Sequence, residues 1–154
     1  MGRWPCGEVD IEQLIATNQL QQVIGGQANG AYLLEKAART LRTAGEIAAS
    51  DPDNAYVLVY DAARHAGTAL LAQQGLRPTT TGGHYVVEVA LRAQFGEGFR
   101  PFGAMRRRRN ELEYPSEPGQ TTTSDEAIDA IDAIADAERL HEAAQRLLPT
   151  LSIF

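Results

Sequence analysis

Apolar residues recur at steps of three and four along most of the chain, and this spacing predicts α-helices with one buried face. The clearest stripe lies between Ala31 and Ala49, and the next segment, Pro52 to Gln74, is apolar on most sides. Because a helix that is apolar on most sides has to be buried, we expect Pro52 to Gln74 to be the central helix of a bundle. The first stripe consists of Leu34, Ala37, Ala38, Leu41, Ala44 and Ala48.

The same spacing predicts further helices on both sides of this pair. A first helix should run from Asp10 to Ile24, and a fourth from His84 to Phe95. Composition alone would allow a strand at Tyr85 to Val89, but no partner strand is predicted nearby, so we expect helix there. The fifth helix should carry Phe99 and end before Pro115.

A sixth helix is predicted from Thr123 to Leu148, after a linker at Ser116 to Thr122. Its first four residues, Thr123 to Glu126, have the pattern of a capping box. Pro149 should end it, because proline cannot continue the hydrogen-bonding pattern of a helix. The residues expected to face inward are Ile131, Ile134, Ala137, Leu140, Ala144 and Leu147.

Local signals mark both ends of the central helix. Asp51 can cap the first turn, and Pro52 suits a position whose backbone N–H needs no partner. Gly75 is expected to adopt the left-handed conformation that closes a helix. The following segment, Leu76 to Gly83, is expected to be a loop.

These elements predict an all-α protein, an antiparallel bundle of five to six helices joined by short loops. A chain of 154 residues is long enough for a single domain with a substantial core. Residues 1–29 should form an N-terminal helix and turn, and residues 30–149 the bundle. The glycine-rich Gly25 to Gly30 is read as a turn, because it lacks the Gly-Lys-Ser/Thr ending of a phosphate loop.

Charge is distributed unevenly along the chain. The formal net charge is −6, which disfavours wholesale binding of nucleic acid. Arg106 to Arg109 nevertheless form a dense basic segment, whereas Asp125 to Glu142 is strongly acidic. A local basic site on an acidic protein therefore fits the sequence.

Cysteine and histidine are few and scattered. The one cysteine, Cys6, cannot form an intramolecular disulfide, which fits a reducing, cytoplasmic setting. His65, His84 and His141 lie far apart without the spacing of metal ligands, so we expect neither a metal nor a cofactor. No apolar stretch is long enough to span a bilayer, and the first residues do not form a secretory signal, so no membrane contact is expected.

The fifth predicted helix carries the densest polar chemistry. Four consecutive arginines, Arg106 to Arg109, cover every face of a helix, so at least one has to face the bundle or a partner. A solvated, salt-bridged helix end and an anion-binding site both fit this pattern, since guanidinium groups suit phosphate. The spacing of four residues predicts side-chain pairs between Arg107 and Glu111, Arg109 and Glu113, and Asn110 and Tyr114.

Arg109 and Asn110, followed after four residues by Tyr114, resemble the motif of HEPN domains. These domains are small helical bundles of toxin–antitoxin and other defence proteins, and their motif is an Arg, a polar residue and a later His. Tyr60 to Ala66, Leu70 to Pro78 and Gly83-His84 resemble a HEPN subgroup of actinobacterial type. The resemblance covers roughly Ala31 to Leu148.

The resemblance implies a component of a toxin–antitoxin or defence module that acts as a metal-independent endoribonuclease at a composite site in a homodimer. Arg109 would then stabilise the phosphate, Asn110 would orient it, and Tyr114 would donate a proton or a hydrogen bond. Arg106, Arg107 and Arg108 would bind the phosphates of RNA.

Tyr114 departs from the family motif, which has His at this position. A phenol, with a reference pKa of about 10, is a poor base near neutrality. The alternative is therefore a non-catalytic HEPN module, an antitoxin or accessory subunit that binds a cognate protein or a nucleotide. A small-molecule-binding bundle outside any defence system also stays open.

A two-fold symmetric dimer is the expected assembly. Phe99, Phe102 and Met105 lie on the same helix as the arginines, and a two-fold interface could bury them while bringing both polar ends together.

Overall fold

The computed structural model describes residues 2–79, 83–114 and 123–154, and of residues 83 and 123–128 it describes the backbone alone. The described residues form six α-helices and a two-stranded ribbon, so the protein is an all-α helical bundle, as predicted. The helices are α1 (Glu8–Ala16), α2 (Ala31–Ile47), α3 (Pro52–Gln73), α4 (Gly83–Phe95), α5 (Arg100–Glu113) and α6 (Thr123–Leu147).

The central position predicted for α3 is confirmed. Val59, Tyr60 and Leu70 on this helix are fully buried, and α3 packs against α2, α4, α5 and α6. Its apolar surface is therefore covered from several sides by the other helices. In the described parts of the chain, neither α3 nor any other helix is long and apolar enough to cross a membrane.

The N-terminal segment differs from the prediction. Its helix stops at Ala16, and Asn18 takes a left-handed backbone conformation with φ of 61°. Strand β1 (Leu20–Gln22) then pairs antiparallel with β2 (Leu76–Pro78). The predicted helix to Ile24 and the predicted loop after Gly75 were therefore wrong in these two short stretches, where backbone groups are satisfied by a ribbon.

The two ends of α3 are stabilised differently. Gly75 closes the helix with φ of 73°, as expected, and its carbonyl accepts a hydrogen bond of 2.7 Å from Val23 N–H. At the other end the expected side-chain cap was wrong, since Asp51 makes no capping hydrogen bond. Its Oδ2 atom instead accepts from Asn54 Nδ2 at 2.8 Å.

The buried face of α6 is shifted by one residue at its start. Ile131 was predicted to face inward but is 61% exposed, because the adjacent Ala130 is the residue that packs against α2 and α3. The predicted capping box at residues 123–126 lies outside the described side chains. The described buried residues of α6 are Ala130, Ala133, Ala137, Leu140 and Ala144.

A pair of buried amides joins the end of α3 to α4. Gln74 and Gln94 exchange two hydrogen bonds of 2.9 and 2.8 Å, and both side chains are almost fully buried. Gln74 also donates to the carbonyl of Leu70 at 3.1 Å. The buried polar atoms thus satisfy one another inside an apolar core.

Candidate functional site

The four arginines of α5 point to three different neighbours. Arg106 and Arg107 face Glu88 of α4, and Arg108 reaches Asp129 of α6. Arg109 lies over the ring of Tyr60 on α3, with 6.0 Å from its Cζ atom to the ring centroid. The expectation that part of the run faces the bundle is therefore confirmed, and each direction offers different chemistry.

Glu88 anchors the first direction. Its carboxylate is only 5% exposed and accepts hydrogen bonds from Arg106 at 2.6 Å and from Arg92 at 2.8 Å. Arg107 lies 3.9 Å from the same carboxylate. A buried carboxylate needs such partners, so the charge of Arg106 is already matched within the fold.

Arg108 connects α5 to α6. Its guanidinium lies 2.6 Å from Asp129 and 3.1 Å from Glu111. Spacing had predicted that Glu111 pairs with Arg107, but Arg108 is the arginine that contacts it. Arg108 therefore pairs with two carboxylates, and the phosphate-binding role that the sequence suggested for it stays a prediction.

Arg109 belongs to a cluster that draws on three helices. The ring of His84, at the start of α4, lies 5.5 Å from the ring of Tyr60, which Arg109 also approaches. Phe102 of α5 stacks on Tyr60 at 5.4 Å and supports it from within the core. Arg64, one turn after Tyr60, completes the cluster with a half-buried side chain. We call Tyr60, Arg64, His84 and Arg109 the arginine–histidine cluster.

This cluster has more hydrogen-bond donors than acceptors. The hydroxyl of Tyr60 and the Nε atoms of Arg64 and Arg109 are buried without a hydrogen-bond partner among the described residues. The carboxylate of Asp61 lies 3.7 Å from the guanidinium of Arg64. Buried donors ordinarily have partners, so an anion with several oxygen acceptors is the ligand that these groups fit.

The local electrostatics keep two members of the cluster neutral. Burial raises the pKa of Tyr60 to about 12, against the opposing effect of Arg64 and two other arginines. Burial, together with Arg64 and Arg109, lowers the pKa of His84 from its ordinary value. Near neutral pH the cluster therefore presents an uncharged phenol and an uncharged imidazole beside two guanidinium groups.

The two other predicted catalytic residues lie at the exposed end of α5. Asn110 accepts a hydrogen bond of 3.4 Å from Arg109, so these two adjacent motif residues are in contact. The side chain of Tyr114 is 74% exposed, and its backbone N–H donates to the carbonyl of Asn110. The catalytic roles suggested for both residues stay predictions.

Three members of the cluster received no role from the sequence. Tyr60 and Arg64 lie on α3, and His84 begins α4, far along the chain from Arg109. The available signal was the resemblance of Tyr60 to Ala66 and of Gly83-His84 to HEPN segments. It indicated the fold, but only the packing of the helices brings these side chains to the motif arginine.

A cleft of about 650 Å³ lies between α5 and α6. Its rim combines Arg100 and Arg107 with Asp132 and Asp136. Because both positive and negative side chains line it, this cleft favours neither anions nor cations. The chemically one-sided arginine–histidine cluster is therefore the better candidate site.

Comparison of the chain with protein-family models, curated proteins and solved structures finds no match. Within residues 2–79, 83–114 and 123–154, no three His, Cys, Asp or Glu side chains come together as a metal site requires.

Proposed function

We propose that this protein is a HEPN-type, metal-independent endoribonuclease that serves as a component of a toxin–antitoxin or defence module. The observation that supports this most is the arginine–histidine cluster. It joins Arg109 of the motif to side chains from two of the three other segments that resemble HEPN domains, Tyr60 to Ala66 and Gly83-His84.

The cluster suits a phosphodiester for electrostatic reasons. The guanidinium groups of Arg64 and Arg109 would contact the phosphate oxygens, and Asn110 contacts Arg109 and would orient it. Charge that develops on the phosphate as the ribose 2′-hydroxyl attacks would be stabilised by fixed cations. Such an arrangement supplies within the protein the positive charge that other nucleases take from a metal ion.

The proposal is tested by incubating the purified protein with structured and unstructured RNA in the presence of a chelator. The wild-type protein should cleave RNA, and Arg109→Ala should lower the rate on the order of a hundredfold, as expected for loss of a charge-stabilising donor. Arg39→Ala is the matched control, because Arg39 is an exposed arginine on α2. Absence of cleavage at micromolar protein, or equal rates for wild type and Arg109→Ala, would overturn the proposal.

A second candidate is a non-catalytic HEPN subunit that binds a cognate protein or a nucleotide. The observation in its favour is Tyr114, which stands at the motif position of His and presents an exposed ring at the end of α5. Expression of the chain alone separates the two candidates. Growth arrest that Arg109→Ala abolishes supports the nuclease, whereas harmless expression with no RNA cleavage supports the binding subunit.

A further inference from the structure

The imidazole that the motif helix lacks is present on another helix. His84 and Arg109 both approach the ring of Tyr60, at 5.5 Å between ring centroids and 6.0 Å from the Arg109 Cζ atom respectively. Tyr114, by contrast, follows the last residue of α5 with a non-helical backbone conformation, and its side chain is 74% exposed. His84 and Arg109 are thus neighbours of the same ring, and Arg109 acts electrostatically on the imidazole.

We propose that His84 accepts the proton of the attacking 2′-hydroxyl, so that a single chain supplies both the base and the phosphate-binding arginine. This inference rests on the proposed ribonuclease function and names the residue that carries its proton transfer. It also departs from the expectation of a site completed only by a second chain.

The chemical step balances with His84 and one water molecule. The 2′-hydroxyl proton moves to the imidazole nitrogen of His84 while the O2′–P bond forms and the P–O5′ bond breaks. The leaving O5′ takes a proton from water, and the hydroxide so formed takes the proton back from His84. The products are a 2′,3′-cyclic phosphate and a 5′-hydroxyl end, with no change in oxidation state.

The surroundings of His84 favour the form that can accept a proton. The charged and titratable groups that face it are Tyr60, Asp61 and Arg64 from α3, and Arg106 and Arg109 from α5. Three cations against one carboxylate, together with partial burial, keep the imidazole uncharged near neutral pH. Glu88, on the same face of α4 one turn later, is already occupied by Arg92 and Arg106.

The test compares His84→Ala with the control variant His141→Ala. His141 lies on α6, and its ring nitrogen forms a hydrogen bond with the carbonyl of Leu34. His84→Ala should lower cleavage of RNA on the order of a hundredfold, and binding of the 2′-deoxy strand of the same sequence should weaken by far less. Arg109→Ala should weaken both the cleavage of RNA and the binding of the 2′-deoxy strand. Added imidazole should restore cleavage to His84→Ala, which a merely structural loss would not allow.

The outcomes separate the two proposals. A wild-type rate in His84→Ala would overturn the role of His84 and leave the ribonuclease standing. Loss of cleavage that imidazole does not restore, with the binding of the deoxy strand lost equally, would also overturn it. A wild-type protein that cleaves no RNA overturns the proposed function, and the role of His84 with it.

The pH profile gives an independent measurement. Because the pKa of His84 is lowered, the wild-type cleavage rate should stay constant down to about pH 6.5, the ordinary pKa of histidine, and fall only below it. The residual activity of His84→Ala should lack this acidic limb. A limb that persists unchanged in the variant would assign the titration to another group.

Discussion

Glu88 shows how one side chain organises the arginines of α5. An unpaired carboxylate at its depth would be strongly unfavourable, so its contacts with Arg92 and Arg106 are needed for folding as well as for position. Gly103 on α5 makes room for it, because a β-carbon at this position would overlap Glu88 Oε1. The spacing between α4 and α5, and with it the placement of Arg109, depends on these contacts.

Gly103→Ala is therefore expected to destabilise the protein by about 1–3 kcal/mol, since the added methyl group displaces a buried, ion-paired carboxylate. The change is measured as the free energy of unfolding in urea. Gly45→Ala on α2 is the matched control, because its β-carbon would meet no atom and helix propensity predicts a gain of up to about 1 kcal/mol. Equal effects of the two substitutions would contradict this account of Gly103.

His65 should make stability dependent on pH. Burial, together with Arg64 and Lys36, lowers its pKa to about 4, below the value of 6.5 that it has when unfolded. The folded state therefore resists protonation, so stability is full above pH 6.5 and is lost progressively as the pH falls towards 4. The difference between 6.5 and about 4 corresponds to about 3 kcal/mol.

The measurement is urea unfolding between pH 7 and pH 4, with His65→Gln as the comparison. The variant should lose less stability over this interval than the wild type. An NMR titration of the His65 Cε1 proton with a midpoint near 6.5 would contradict the prediction.

Tyr114→His introduces the residue that the HEPN motif, which this segment resembles, has at the corresponding position. We expect it to raise ribonuclease activity on the order of tenfold or more, because an imidazolium with a reference pKa of about 6.5 donates a proton to the leaving oxygen more readily than a phenol. Tyr32→His, another exposed tyrosine, serves as the control. Unchanged or lower activity in Tyr114→His, with normal folding, would show that this position takes no part in proton transfer.

At the scale of single residues, the candidate site was only partly predictable from the sequence. Arg109 and Asn110 could be selected because a short motif identifies them on one helix. Arg64 and His84 could not, since their position near Arg109 depends on the crossing of α3, α4 and α5 rather than on a local pattern. The contact of Arg108 with Asp129 could not be predicted for a related reason, because Asp129 lies on α6.

Secondary-structure elements were predicted best where apolar spacing was long and regular. The stripe of α2 and the apolar length of α3 gave bounds within two residues of those observed. The ribbon was missed because β1 and β2 are three residues each and lie far apart in sequence. On α6, both Ala130 and Ile131 fit an apolar stripe, and the sequence predicted that Ile131 faces inward. The close packing of the helices instead buries the smaller Ala130.

The tight contact of α6 can be tested by enlarging the side chain at position 130 and shortening the one at position 131. Ala130 packs against Ala48 and Ala55, so Ala130→Leu should overfill this contact and cost about 1–3 kcal/mol. Ile131→Ala should change the free energy of unfolding by less than about 0.5 kcal/mol, because Ile131 is 61% exposed. A larger loss of stability from Ile131→Ala than from Ala130→Leu would support the inward orientation of Ile131 that the sequence predicted.

At the scale of the whole molecule, the all-α class and the central helix were predicted correctly from the sequence. The argument that the sequence offered for the dimer interface was wrong. Phe99, Phe102 and Met105 were expected to form a two-fold interface, yet all three are buried in the core of their own chain. That argument was wrong, because residues inside one core are not available to a partner. The dimer itself stays a prediction.

Light scattering at micromolar concentration should therefore give a mass of about twice 16.7 kDa if the dimer forms as the family resemblance implies. Cleavage by a protein that remains monomeric would contradict a composite site and agree with the single-chain role of His84. A dimer whose activity is lost on dilution would indicate that the second chain contributes to catalysis.

The exchange of hydrogen bonds between Gln74 and Gln94 has a consequence for how this sequence can change over generations. Replacing either amide alone by leucine leaves the other without its partner in an apolar interior, at a cost of about 1–3 kcal/mol, whereas replacing both by apolar residues of similar shape is nearly neutral. Each single step thus leads through a weakened protein. Substitutions at positions 74 and 94 are therefore expected to occur together.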